Sequence, residues 1–181
     1  MNYFRKRLMF LSLCGLILLT GLFYQASQNP SKEAVQGAAG YPVVQTGHQA
    51  PSLELPGLDG QTYSVDTFKG KPVLLTFFSS WCGICQEELP NLSRYYEEQK
   101  ENLNIVAINA TTQEYSKDDV KQFVQRAQLS MPVLMDEEGK GIEAFSVTGV
   151  PVSFLLDENG IVMDTYYGPI DRSKIEGALG L

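Results

Sequence analysis

The sequence predicts an α/β fold in which a mixed central sheet is flanked by helices. Three observations carry this expectation. Two near-continuous apolar runs, VLLTFFS (73–79) and LNIVAINA (103–110), read as strands buried on both faces. Helical spacing follows each of them, from Cys82 to about residue 101 and from Lys117 to Gln128. A strand–turn–strand pattern and a last helix then close the chain.

The elements follow in order. LELPGLDGQTYSV (53–65) alternates in two short runs around Pro-Gly and Asp-Gly turn signals, which predicts an N-terminal β-hairpin. Lys71-Pro72 opens the first buried strand. The helix from Lys117 to Gln128 has its apolar positions at Val120, Phe123, Val124 and Ala127. Pro132 to Met135 reads as a short strand and Gly141 to Val147 as a short helix. VSFLLD (152–157) and IVMDTYY (161–167) flank Asn159-Gly160, predicting a hairpin with a two-residue turn. Asp171 is placed to cap a final helix through Leu179.

The first 24 residues read differently. Arg5, Lys6 and Arg7 precede LMFLSLCGLILLTGLF (8–23), which carries no charge. At helical rise its 16 residues reach about 24 Å, the short end for a membrane span. Cleavage after Ala26 would put the large Tyr24 at −3, and Leu13 is bulky for a lipoprotein signal before Cys14. An uncleaved, single-pass signal anchor over 1–24 is therefore expected, its basic end in the cytoplasm. Residues 25–47, rich in Gln, Ser, Ala and Gly, read as a flexible linker of roughly 25 Å. The domain is expected over 48–181, on the extracytoplasmic side of the cell membrane. Without the three anchor cations, 11 of the 14 basic groups face 21 acidic ones, about −10 in all. That balance argues against nucleic acid as a partner.

Chemistry concentrates in FFSSWCGICQEELP (77–90). Cys82 and Cys85 allow three readings. A structural zinc site needs four ligands, and the chain offers besides these two only Cys14 and His48. A structural disulfide across two residues closes so small a loop that it stabilises little, although it remains an alternative. The redox reading has a mechanism of its own. At the junction of a buried strand and a helix, first-turn N–H groups and the helix dipole stabilise a thiolate. Cys82 then attacks, and Cys85, one turn on, resolves the mixed disulfide.

A proton acceptor for Cys85 follows from helical angles. At about 100° per residue, Glu88 lies about 60° around the helix from Cys85, whereas Glu87 lies about 160° away. Leu89, Leu92 and Tyr96 fall within about 40° of Cys85, which marks the buried face. Glu88 is thus a carboxylate at the edge of an apolar stripe, where desolvation raises its pKa toward the range a proton shuttle needs. The alternative is a solvated charge beside Glu87.

PVLLTFFSSWCGICQEELP (72–90) resembles the active-site segment of thioredoxin-like proteins, most closely the membrane-tethered TlpA/ResA-like thiol–disulfide oxidoreductases. The similarity runs from about residue 48 to 181, including the hairpin and an added strand–helix element before the second half. It implies a thioredoxin-like fold and a monomer with no cofactor beyond the Cys82–Cys85 redox disulfide, and no metal. It also implies exported protein disulfides as substrates and a membrane electron donor of CcdA/DsbD type. TGVPVSFLLDENG (148–160) is similar to the family's cis-proline segment. That implies Pro151 packed against the cysteines and Val150 offering its backbone to the substrate chain. Trp81 has a docking reading and a plain packing one. ResA-like proteins carry a glutamate at the position of Glu88, and thioredoxin-like folds a proline at that of Pro90. Two positions depart from the pattern. Ile84 replaces the common proline before the second cysteine, and Thr76 stands where thioredoxin has a buried aspartate.

Four functions compete. The resemblance favours a reductant of exported proteins, with apocytochrome c or a cell-envelope or spore protein as substrate. A disulfide-forming oxidase would use the same two sulfurs in the other direction. A thiol peroxidase is disfavoured, because its P-x-x-x-T-x-x-C spacing meets Pro72 and Thr76 but ends on Ser79. An intact cysteine pair argues against a non-catalytic binding module.

Overall fold

The computed structural model describes residues 44–180. Its first elements are the strands β1 (Glu54–Pro56) and β2 (Thr62–Ser64), an antiparallel pair as the turn signals predict. A single 3-10 turn, Val65–Phe68, leads from them to β3 (Val73–Phe78). Then come α1 (Gly83–Gln99), β4 (Asn104–Asn109), α2 (Lys117–Arg126) and β5 (Val133–Met135). The chain closes with α3 (Lys140–Ala144), β6 (Val152–Leu156), β7 (Val162–Tyr167) and α4 (Arg172–Leu179).

Five strands form one mixed sheet in the order β5-β4-β3-β6-β7. β3, β4 and β5 run parallel, joined by crossover helices as parallel neighbours require. β6 lies antiparallel to β3 and β7 antiparallel to β6. The hairpin β1–β2 docks on β5, where the Leu58 N–H donates to Val133 O at 2.8 Å, and so shields part of that sheet edge.

Side-chain alternation along β3 divides the core. Leu74 and Phe78 pack with Leu89, Leu92 and Tyr95 of α1, Val120 and Phe123 of α2, and Ile175 of α4. Val73, Leu75 and Phe77 point the other way, against Leu53, Leu55 and Val65 and against Ala144 and Phe145 around α3. Helices thus cover one face, while the N-terminal hairpin and one short helix cover the other. This is why both central strands read as continuous apolar runs.

Three details differ from the sequence expectations. The closing hairpin has a three-residue loop rather than a two-residue turn: the Asp157 N–H donates to Ile161 O at 2.9 Å. Asp157 Oδ1 accepts from the N–H groups of Asn159 and Ile161, and Gly160 takes φ +81°, the arrangement of a turn followed by a left-handed residue. On α1 the deeply buried tyrosine is Tyr95, 4% exposed, whereas Tyr96 is half-buried. Arg172 of α4 lies over the Tyr95 ring, 5.0 Å from its centroid, a contact that widens the buried stripe. Val44 already packs against the second core cluster, and the Gly47 N–H donates to Val162 O, so the described fold reaches ahead of His48. The anchor assigned to 1–24, and the linker as far as residue 43, lie outside the described residues. Among the described residues no helix is long and apolar enough to cross a membrane.

Candidate active site

β3 ends at Phe78 and α1 begins at Gly83, with four residues between them. In that interval the Cys82 N–H bonds back to Ser79 O at 3.2 Å, and Cys82 O accepts the Gln86 N–H at 3.0 Å, which makes Cys82 the N-cap of α1. Its sulfur accepts from the Cys85 N–H at 3.2 Å. This is the first-turn amide that stabilises negative charge on sulfur when the pair is reduced. Here Cys82 and Cys85 are joined in a disulfide, with Cα atoms 5.2 Å apart. Cys85 is fully buried and Cys82 is 7% exposed, so a partner sulfur has access only to Cys82.

The Val150–Pro151 peptide bond is cis, and Val150 O lies 3.9 Å from the Cys82 sulfur. Trp81 and Ile84 are each about half exposed beside the pair. The Trp81 indole N–H donates to Gln113 O at 2.9 Å, so the ring is pinned at one end and open to a partner at the other.

Glu88 is 6% exposed, whereas Glu87 faces solvent, as the helical angles predict. Its Oε1 accepts from the Ile170 N–H at 2.8 Å, while Oε2 is buried with no partner. Burial pushes the carboxyl up to about 7, against the opposing pulls of the Ile170 amide and the Lys174 ammonium. An open cavity of about 570 Å³ adjoins it, lined among others by Ile84, Leu92, Tyr95, Ile170 and Lys174. A buried acid of this kind takes up and releases a proton near neutral pH.

The structure thus brings Cys82, Cys85, Trp81, Val150 and Pro151 together, with Glu88 one turn along α1. Thr76 is fully buried and shares a 3.0 Å hydrogen bond with Ser153 of β6, so the position holds a neutral pair. Sequence reasoning did not single out Ile170, Lys174, Gln113, Glu114 or Gln86. Glu114 accepts from Ser80 and Asn109, and Gln86 donates to Ser80 O at 2.7 Å. Ser80 and Glu114 lie 34 positions apart, and local pattern holds no signal for a contact of that range. Among the described residues no group of three His, Cys, Asp or Glu side chains stands together as a metal site.

This fold and this disulfide define a thiol–disulfide oxidoreductase of the thioredoxin superfamily. The chain belongs to the AhpC/TSA family, whose model matches residues 46–165, and within the superfamily it is ResA-like. It is 36% identical over 139 residues to the thioredoxin-like protein YneN of Bacillus subtilis, covering 76% of this chain and 81% of the relative. To the thiol-disulfide oxidoreductase ResA of Bacillus cereus it is 34% identical over 137 residues, covering 75% and 78%. The crystal structure of StoA from Bacillus subtilis superposes with a TM-score of 0.64 at 25% identity, over 72% of this chain and 97% of that one. Ser79, where the peroxidase spacing would need its cysteine, is fully buried. The family match therefore brings no peroxide-reactive thiol at that position.

Proposed function

We propose that this oxidoreductase works outside the cytoplasmic membrane, tethered by its N-terminal segment, as a reductant of disulfides in exported proteins. The observation that carries the reading is the sulfur pair at the start of α1, one sulfur accessible and one buried, with a proton-accepting carboxyl one turn away. The reduced Cys82 thiolate attacks a substrate disulfide, forming a mixed disulfide and releasing the first substrate sulfur, which takes a proton from water. Cys85 then yields its proton to Glu88 and attacks the Cys82 sulfur. The Cys82–Cys85 disulfide forms and the second substrate sulfur leaves as a thiolate, which also takes a proton from water. Two electrons pass to the substrate, and a dithiol donor in the membrane, of CcdA/DsbD type, restores the pair.

Val150 offers its carbonyl and amide to the substrate backbone beside the mixed disulfide, with Pro151 and the half-exposed Trp81 framing the approach. Apocytochrome c, or an envelope or spore protein, fits as substrate because each presents cysteines that must be reduced after export. The protein acts as a monomer. The apolar N-terminal run and the ResA-like relatives support the location and direction.

The deciding test is the reduction potential of the Cys82–Cys85 pair, titrated against dithiothreitol or glutathione. A value near or below about −270 mV supports a reductant with a dedicated donor, whereas one near about −120 mV makes the protein a disulfide donor. In parallel, Cys85→Ser traps substrates as mixed disulfides on Cys82, and Cys82→Ser traps none.

A further inference from the structure

We propose that Glu114 is a positioning residue for the redox loop. Its carboxylate holds Ser80, and through it Trp81 and Cys82, so that the first-turn amide of α1 stays aimed at the Cys82 sulfur. The inference rests on Cys82 being the attacking sulfur.

Residues 79–82 leave the sheet and enter a helix, so their backbone groups need partners that neither element supplies. Glu114 supplies one of them, at the Ser80 N–H, and holds the Ser80 hydroxyl as well. Its Oε1 accepts from the Ser80 N–H at 2.5 Å and its Oε2 from the Ser80 hydroxyl at 2.6 Å. Asn109 Nδ2, fully buried at the end of β4, donates to the same Oε1 at 2.7 Å. Asn109 is held in turn, because its Oδ1 accepts from the Thr111 hydroxyl at 2.9 Å. From the helix side, Gln86 Nε2 donates to Ser80 O. Every polar group of Ser80 is therefore engaged, by the turn after β4 on one side and α1 on the other.

The neighbouring residue repeats the pattern, since Gln113 O accepts the Trp81 indole N–H. The turn after β4 thus grips the two consecutive residues that precede Cys82. A solvated loop acid would not bond a buried asparagine and a serine only 8% exposed. A carboxylate suits the task because two oxygens accept from three donors, and charge-assisted bonds of this kind are short. The reduced sulfur carries a negative charge that the Cys85 N–H must meet at 3.2 Å. A loop free to rotate at Ser80 loses that alignment, and with it the thiolate.

The test uses the full chain, reduced, and follows iodoacetamide alkylation of Cys82 against pH, exchange with dithiothreitol, and the fluorescence of Trp81. Trp81 is the sole tryptophan of the sequence, so its emission reports on this loop alone. Glu114→Ala is expected to raise the alkylation midpoint by about one pH unit, to slow exchange about tenfold, and to alter the Trp81 emission. Glu114→Gln can accept from the Ser80 N–H and donate to its hydroxyl, so it stays within about twofold of the parent. Ser80→Ala, which removes one bond only, gives an intermediate shift and decides the matter should Glu114→Ala not fold. Unchanged alkylation in Glu114→Ala or Ser80→Ala overturns the proposal. So do equal shifts in the Gln and Ala variants, which would make charge and not position the cause. A parent chain whose Cys82 is not the alkylated sulfur fails the underlying reading as well. A normal parent with an unmoved Glu114→Ala fails only this one.

Discussion

The Ile170 N–H donates to Glu88 Oε1 at 2.8 Å, tying the segment before α4 to the second turn of α1. One oxygen of the carboxyl is thereby fixed as an acceptor, and the proton falls to Oε2, which is buried without a partner. Ionisation of Glu88 strands charge on that oxygen. Desolvation consequently outweighs the amide and the Lys174 ammonium, and the carboxyl titrates near 7.

Stability should record this titration. The folded chain keeps the Glu88 proton up to about pH 7, whereas an ordinary glutamate loses it near 4.5. Folding takes up a proton between those values, so stability falls as pH rises through that window. Glu88→Gln lacks the effect. In urea unfolding of the oxidised protein, the stability of Glu88→Gln relative to the parent should grow by about 3 kcal/mol from pH 4.5 to above 7. It should be level beyond pH 8. A difference that is level throughout would mean that Glu88 ionises like a surface acid.

Kinetics should record it in the same range. If Glu88 accepts the Cys85 proton, only its ionised form resolves the mixed disulfide, so resolution quickens as pH rises through about 7. Glu88→Gln should slow resolution by about a hundredfold and erase that inflection, leaving the first attack by Cys82 little changed. Stopped-flow exchange with a chromogenic disulfide separates the two steps. An inflection near 7 that survives in Glu88→Gln would assign it to another group.

How much of this was legible in the sequence depended on range. The buried strands declared themselves through apolar runs, and the position of Glu88 followed from helical angle, because both are local periodicities. Asp136 was not legible, although it is fully buried and accepts from the Gly141 and Ile142 N–H groups at the start of α3. Glu114 lies 34 positions from Ser80, and Ile170 lies 82 from Glu88, so only the assembled fold brings either pair together. Tyr95 took the buried place expected of Tyr96 for the same reason, since Arg172 comes from the far end of the chain.

The two core faces should separate stability from redox chemistry. Phe145 packs 5.5 Å from Phe77 and 5.0 Å from Phe154, ring to ring, on the face away from the α1 cluster. Phe145→Ala should cost about 3–5 kcal/mol in urea unfolding. Its exchange rate with dithiothreitol at 25 °C should stay within about twofold of the parent, since distant sites act independently. A large rate loss at full occupancy of the folded state would show that the faces are coupled.

Thr76 and Ser153 permit a cleaner test of what the sheet tolerates beneath the sulfur pair. They are directly paired across β3 and β6, both fully buried, and their hydroxyls share one 3.0 Å hydrogen bond. Thr76→Val keeps the shape but leaves the Ser153 hydroxyl alone in an apolar core, which should cost about 1–3 kcal/mol. Ser153→Ala strands the Thr76 hydroxyl at a similar cost. Removing both partners leaves no stranded group, so the double variant should be less destabilised than the sum of the singles by about 1 kcal/mol or more. Denaturant unfolding of the four proteins closes the cycle. Strict additivity would mean that the two hydroxyls do not depend on each other, and that the neutral pair at the position of thioredoxin's aspartate contributes packing alone.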